Sequence, residues 1–469
     1  MKNWVELAIY QMAPKGQRNR YDEKSSLVSS DQLDSSSPSR EVPESTPYQS
    51  YVAFQSSGSG SSMEANYASS QEVYKHKRAL AGMSVVCFAL LVTLFQRHQT
   101  VRQVATHESS NMQALGPYKL IELQQGRDFF KHYDFYNGDD SLGSAGFQEY
   151  VGPMGSAESL GLVNVTKVNG EDLVFLGSKA TNAGMRQSLR LEGKTRFERG
   201  LFILDVRHMP VGCGVWPAFW LTDESHWPDN GEIDILEGVN YQSHAKTALH
   251  TSEDCSMYAH VPASAYTGDW DRAHCIPDTF TGLEDCETSK EADNCWNLAP
   301  HQWANQGCVL VDHRNNTIGA PVNVQGGGIY VMEWDPSNGY IRSWVFSPRE
   351  ITPVNLKQSM DTSSEPLAQR IVPDPDTWGL PYAFFKIGKG SGCSQDHFSN
   401  MHIVFNLAFC GAVAGNRFFS DCPHDLTRQF NFYNDPVASC NAYIESNPDE
   451  MTEAYWAIRG VYVYERELI

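Results

Sequence analysis

Residues 231–238 read Gly231-Glu232-Ile233-Asp234-Ile235-Leu236-Glu237-Gly238. Three carboxylates alternate with aliphatic side chains, the pattern of a strand with one buried face. In a regular strand Glu232 and Asp234 point one way, and Ile233 and Ile235 point the other, into a core. Strict alternation would turn Glu237 inward as well and bury its charge. One extra residue near Ile235-Leu236, a β-bulge, shifts the phase and returns Glu237 to the acidic face. The segment is therefore predicted as a bulged strand that presents three carboxylates in a row on a concave sheet surface. The plain alternative is a solvated acidic face with no chemistry attached.

Two carboxyls about 5–5.5 Å apart suit a retaining glycosidase, one as nucleophile and one as acid/base. Asp234 lies between Glu232 and Glu237 and would crowd both with negative charge, or hydrogen-bond to the nucleophile. Close like charges raise the pKa of at least one partner, which a general acid at mild pH requires. Upstream stand Trp216, Trp220 and Trp227. Indole faces can stack on the C–H faces of sugar rings, so all three are candidate substrate-binding residues. Trp216 and Trp220 are equally compatible with a core, whereas Trp227 sits in a polar loop and is expected to face substrate. Downstream, Leu249-His250-Thr251 reads as a neighbouring strand whose His250 can hydrogen-bond a carboxylate.

Further out, short β-rich segments recur between Gly, Pro and Asn breaks. Examples are Gly200 to Val206, Gly328 to Trp334, Tyr340 to Phe346, His402 to Asn406 and Gly460 to Tyr464. Long amphipathic helical patterns are scarce. The expected fold class is all-β, an antiparallel sandwich of two sheets. The stretch from Cys255 to Cys308 reads as a long excursion tied by disulfides. A formal net charge of −20 argues against a nucleic-acid partner, whose phosphates it would repel. A neutral polysaccharide is indifferent to it.

The N-terminal quarter has a different character. Residues 25–70 are rich in Ser and poor in aliphatics, so they cannot offset the entropy of ordering. Ala79 to Phe95 is an uncharged apolar run that spans roughly 25 Å as a helix, at the short end of a bilayer core. Lys75, Lys77 and Arg78 precede it, which favours a cytosolic N-terminus. Of eleven cysteines, Cys87 lies in this run and the other ten beyond it. An even number on one side points to disulfides in an oxidising compartment. No CxxC spacing occurs, so zinc is not expected, and neither a metal nor a cofactor is implied. Sequons at Asn164 and Asn315 lie on the same side. The expectation is a single-pass type II membrane protein: a disordered tail at 1–74, a transmembrane anchor at 75–98 and a stem at 99–116. A lumenal or extracellular domain follows at 117–469.

Beyond the acidic strand, His208-Met209-Pro210, Gly212-Cys213-Gly214, Trp216 to Trp220, Leu249 to Ser252 and the closing Thr452 to Ile458 resemble the fungal laminarinase-type branch of glycoside hydrolase family 16. The likeness runs from Tyr118 to Glu467 and leaves 1–116 uncovered. It implies a β-jelly roll and double-displacement cleavage of β-1,3 or mixed β-1,3/1,4-glucan. Glu232 matches the nucleophile, Asp234 its electrostatic helper and Glu237 the acid/base, while Trp220, Trp227 and His250 match cleft positions. One departure stands at Cys410-Gly411-Ala412-Val413-Ala414-Gly415, where relatives commonly carry a polar residue and an indole in place of Ala412 and Val413. Asn406-Leu407-Ala408 before it is also less polar than usual. A wall-remodelling transglycosylase would use the same acids. A non-catalytic glucan-binding protein is the third alternative, and the intact Glu232 and Glu237 count against it.

Overall fold

The computed structural model describes residues 115–468, apart from 141–143, 182–183, 259, 273–290, 301, 349 and 362–370. The Ser-rich tail, the apolar run Ala79 to Phe95 and residues 99–114 of the stem lie outside the described residues, as do Cys275 and Cys286; the stem's last two residues already belong to the first strand. Among the described residues no helix is long and apolar enough to cross a membrane.

Two eight-stranded sheets carry the domain. In chain order their strands are β1 (Leu115–Gln124), β2 (Tyr133–Phe135), β3 (Val163–Val168), β4 (Glu171–Leu176), β5 (Arg190–Gly193), β6 (Gly200–His208), β7 (Val215–Thr222) and β8 (Glu232–Glu237). Then come β9 (Lys246–His250), β10 (Asp269–Trp270), β11 (Cys308–Val311), β12 (Gly328–Asp335), β13 (Tyr340–Phe346), β14 (Ala383–Lys386), β15 (His402–Phe409) and β16 (Trp456–Leu468). The outer sheet runs β14-β13-β12-β6-β16-β4-β3, with β1 also paired to β16. The inner sheet runs β10-β11-β9-β8-β7-β15-β5-β2. Every pairing within these two sheets is antiparallel, so the expected sandwich of antiparallel sheets is found.

The core follows from alternation. Phe202, Leu204 and Val206 of β6 and Tyr330, Met332 and Trp334 of β12 meet Phe219, Leu221, Ile233, Leu249 and Phe405 of the inner sheet in one buried cluster. The opposite face of the outer sheet is also covered. Leu201 and Ile203 join Val331, Trp344, Leu356, Trp378 and Tyr464 in a second cluster. This double burial explains why the β6 sequence is apolar almost without interruption. A third cluster holds Leu407, Phe409 and Phe418 with Tyr443 and Ile444 of the helix Pro436–Ser446. Asp435 caps that helix, accepting from the Ala438 N–H at 3.0 Å.

Disulfides fasten the excursions to the sheets. Cys213–Cys422 and Cys410–Cys440 hold the helical segment against the end of the sandwich. Cys255–Cys393 and Cys295–Cys308 tie the loops beyond β9. The sequence left these pairings open because only spatial approach decides them.

The outer sheet also carries a buried ion network. Glu333 of β12 is 1% exposed. It faces Arg342 directly across the ladder and bonds its guanidinium and the Tyr118 hydroxyl. Arg466 approaches at 3.3 Å. Each guanidinium also lies on an aromatic ring, Arg342 over Tyr340 at 4.6 Å and Arg466 over Tyr118 at 4.6 Å. Asp376 also bonds both guanidiniums from the solvent side, so removing the one buried carboxylate leaves two cations with only that exposed partner. Glu333→Ala is therefore expected to cost about 3–5 kcal/mol, read as a lowered midpoint in urea or thermal unfolding.

Candidate active site

The register of β7 against β8 decides the site. Thr222 pairs with Glu232, Leu221 with Ile233 and Trp220 with Asp234; then Phe219 pairs with Leu236 and Ala218 with Glu237. Ile235 is the extra residue, opposed by none. Ala218, Trp220 and Thr222 share one face of β7, so Glu237, Asp234 and Glu232 share it too. Both Ile235 and Leu236 are buried in the core cluster, which is what a bulge permits and strict alternation forbids. The bulge expected near Ile235-Leu236 is thus present, and Glu237 is not turned beneath the sheet. His250 pairs with Glu232 across β9 and joins the same face.

Pro217 sits in the middle of β7, a central strand, where proline would normally break the ladder. The pairing with β8 has already ended at Ala218, so the missing N–H is not needed there. Its carbonyl still accepts from the Gly238 N–H at 3.2 Å. At the other end, Gly231 enters β8 with φ +74, and a Cβ there would stand 2.4 Å from the His397 carbonyl oxygen.

Each carboxyl has its own partner. The Trp227 indole N–H donates to Glu232 Oε2 at 2.7 Å. The Trp216 indole N–H donates to Glu237 Oε1 at 2.7 Å. His250 Nε2 lies 3.1 Å from Asp234 Oδ2 and 3.9 Å from Glu232 Oε1. Asp234 and His250 are buried, while Glu232 and Glu237 keep part of their surface open. The His250 ring packs under Gly307, whose φ is +66 and whose added Cβ would stand 2.8 Å from Nδ1.

The charges are crowded. Burial raises the pKa of Glu232, and the neighbouring Asp234 charge raises it further. Burial likewise raises Asp234, with the Glu237 charge adding to it and the His250 hydrogen bond opposing. Burial, then the Glu232 charge, raises Glu237, and the Trp216 hydrogen bond pulls it back. Burial disfavours a charged His250, but Glu232 and Asp234 outweigh it and push the ring up to about 9. The carboxylates thus favour a charged ring, while burial and crowding make each carboxyl harder to ionise. The carboxylate oxygens of Glu232 and Asp234 and a His250 nitrogen lie within 4.8 Å of one another. This donor set is one that a cation could use, but the His250–Asp234 hydrogen bond already occupies it.

The other expected residues take distinct places. Trp220 lies on the carboxylate face, partly exposed, with its indole N–H donating to Asn406 Oδ1 at 2.8 Å. Trp227 is 38% exposed, consistent with a substrate-facing role. Trp216 is only 9% exposed and packs with Val239, Ala408, Ala414 and Val413. Of the two readings open for Trp216, core or sugar platform, this burial fits the core, with its one polar atom donating to Glu237. Ala408 and Val413 belong to this apolar bed. Asn164 and Asn315 are exposed, on β3 and in the turn after β11, and neither belongs to the carboxylate face.

Three residues that sequence reasoning did not single out complete the surroundings. Asp223, 1% exposed, accepts from Asn230 Nδ2 at 2.8 Å and Asn400 Nδ2 at 2.9 Å, and bonds His226 Nδ1 at 2.9 Å. Those bonds hold its carboxyl down at about 2 despite burial. They also fix the loop that presents Trp227. Arg190 lies over the Trp220 ring at 5.3 Å and bridges to Glu192 and Glu224. Asn406 accepts the Trp220 N–H. Their spacing in sequence does not mark them, because each also depends on a partner from a distant segment: Asn400 for Asp223, Glu224 for Arg190 and Trp220 for Asn406.

The profile of a family described as "XgeA-like, catalytic GH16 domain" matches residues 133–464. A probable glycosidase of Schizosaccharomyces pombe is 35% identical over 351 residues, which cover 74% of this chain and 69% of that protein. An endo-1,3(4)-beta-glucanase of Emericella nidulans is 31% identical over 366 residues, 76% of this chain and 48% of that protein. The chain therefore spans about half the length of that relative. Among solved structures, an elongating GH family 16 beta-1,3-glucosyltransferase is 31% identical with a TM-score of 0.58, covering 74% of this chain and 100% of that one. Laminarinase 16A from Phanerochaete chrysosporium, solved with beta-glucans in both donor and acceptor sites, is 29% identical with a TM-score of 0.57, covering 74% and 99%.

The carboxylate field makes a direct spectroscopic prediction. In NMR the His250 ring should titrate near pH 9, above the ordinary value of about 6.5. In Glu232→Gln its midpoint should fall toward that ordinary value, because the carboxylate that favours the imidazolium is gone.

Proposed function

This chain belongs to the XgeA-like catalytic branch of glycoside hydrolase family 16, and from that premise we propose that it cleaves β-1,3 or mixed β-1,3/1,4-glucan internally by double displacement. The observation that carries the reading is the bulge at Ile235, which sets Glu232, Asp234 and Glu237 on one sheet face. Glu232 attacks the anomeric carbon and forms a glycosyl ester. Glu237 protonates the departing glycosidic oxygen in the same step. Glu237 then removes a proton from the incoming water, and the configuration at the anomeric carbon is retained.

The partners of each carboxyl fit these roles. Trp227 donates to one oxygen of Glu232 and stabilises its anionic form. The Asp234–His250 pair holds a proton beside the nucleophile and limits the negative charge around it. Burial raises the pKa of Glu237, the direction a general acid needs. Trp220 and Trp227 offer indole surface to sugar rings. No cofactor takes part in this scheme.

A second reading is transfer, in which a sugar hydroxyl replaces water in the second step. The likeness to the elongating glucosyltransferase favours it. The placement we infer is a type II membrane protein anchored through Ala79 to Phe95, with the domain on the lumenal or outer side and acting on wall glucan. Four disulfides among the described residues support an oxidising compartment.

On laminarin and lichenan, Glu232→Gln and Glu237→Gln should each lower kcat by about a thousandfold or more. Azide should restore turnover of an activated aryl glycoside only in Glu237→Gln, giving a β-configured glycosyl azide. Full activity in both variants would overturn the assignment, and time-resolved product lengths separate hydrolysis from transfer.

Trp216→Phe tests the acid separately. It removes the hydrogen bond that favours ionised Glu237, so the Glu237 pKa rises further. The basic limb of the pH–kcat/KM profile should move to higher pH while the acidic limb stays.

A further inference from the structure

Away from the carboxylate face, β3 ends the outer sheet, so one edge of its backbone has no strand partner among the described residues. An exposed edge of this kind invites pairing with other chains unless something covers it. β3 and β4 form a hairpin through Asn169 and Gly170, both at positive φ. On its outward face Asn164 stands directly across the ladder from Phe175, and Thr166 across from Leu173. Asn164 and Thr166 are exposed, and they are the first and third residues of a sequon.

A shallow groove opens at this point. Arg127, Glu158, Gly161, Asn164, Thr166 and Phe175 line it. The Phe175 ring is braced from behind by Tyr455 at 5.3 Å. It also lies over Gly177, where a Cβ would come within 2.7 Å of two ring carbons. Arg127 and Glu158 form an ion pair of 2.5 Å at the groove. The Asn164 Oδ1 accepts from the Val165 N–H at 2.8 Å, which leaves the Nδ2 side of the amide for attachment.

We propose that Asn164 is N-glycosylated and that its first N-acetylglucosamine docks in this groove, stacked on Phe175. In the transfer, Asn164 Nδ2 bonds to C1 of the first sugar of a lipid-linked pyrophosphate oligosaccharide. The C1–O bond to the pyrophosphate breaks, the lipid pyrophosphate leaves with the electron pair, and Nδ2 gives up one proton. The sugar's C–H face then covers Phe175, an apolar contact with fixed geometry. Arg127 and Glu158 offer charge-assisted hydrogen bonds to its hydroxyls and acetamido group. The remaining glycan extends over the open edge of β3 and blocks strand addition there. This inference rests on the lumenal placement in the proposed function and not on the glucanase assignment.

The test uses the full chain produced in a yeast host and purified in detergent. Peptide mass spectrometry is expected to find hexosamine on Asn164. Trimming to a single N-acetylglucosamine with an endoglycosidase should leave Tm unchanged. Asn164→Gln and Thr166→Ala, which both prevent attachment, should each lower Tm by about 1–3 °C. In a Phe175→Val background the Asn164→Gln loss should vanish, because the stacking surface is absent. Activity on laminarin should be the same in every variant. Modification at Asn315 but not at Asn164 would overturn the proposal while leaving the lumenal placement intact. Absence of glycan at both sequons would overturn both. An Asn164→Gln loss that persists in Phe175→Val would overturn the docking.

Discussion

One extra residue in β8 governs the whole site. A strand can turn Ile233 into the core and Glu232 and Asp234 out of it without help, but the same alternation would bury Glu237. Inserting Ile235 into the ladder with β7 resets the phase, so that Leu236 and Ile235 both pack inward and the third carboxyl returns to its neighbours. The cost is one unpaired position in the ladder. The gain is a geometry that regular pleating cannot supply: two glutamates and an aspartate on one face of one strand.

That geometry creates an electrostatic problem which the surrounding strands resolve. Three carboxyls withdrawn from water cannot all ionise easily. The neighbouring β9 supplies His250 as a cation against Asp234. Indole N–H groups from β7 and from the loop before β8 donate to Glu237 and Glu232. Each acid therefore has a different partner, and different partners are what let chemically similar groups take different tasks. Trp216 illustrates the economy of the arrangement: its ring is buried in an apolar bed, and its single polar atom reaches the acid. Asp223 acts at one remove, fixing the loop that brings Trp227 to Glu232.

The rest of the domain keeps this strand flat against its core and free on its other side. The outer sheet is buried on both faces, and its Glu333 network locks β12 to β13 and β16. The disulfide-tied helical segment closes the end of the sandwich near Val413. The edge at β3 has no strand partner among the described residues, and it carries the exposed sequon.

The amino-acid sequence alone determined the class of fold, the acidic strand and its bulge. Period-two alternation and the penalty for a buried charge are local rules, and they point to the Ile235-Leu236 step without any knowledge of neighbours; only the register against β7 singles out Ile235. It also marked Trp220, Trp227 and His250, because indoles and imidazole close to an acidic strand in sequence are few. Other features were settled only in three dimensions. They include the disulfide pairs, the burial of Trp216 on Val413 and Ala408, the Glu333 network, and the roles of Asp223, Arg190 and Asn406. Asp223 meets Asn400 at a separation of 177 residues, and Cys213 meets Cys422 at 209. Nothing in the spacing of a chain records such meetings. They exist only once the sheets have stacked and brought distant strands within hydrogen-bond and covalent reach.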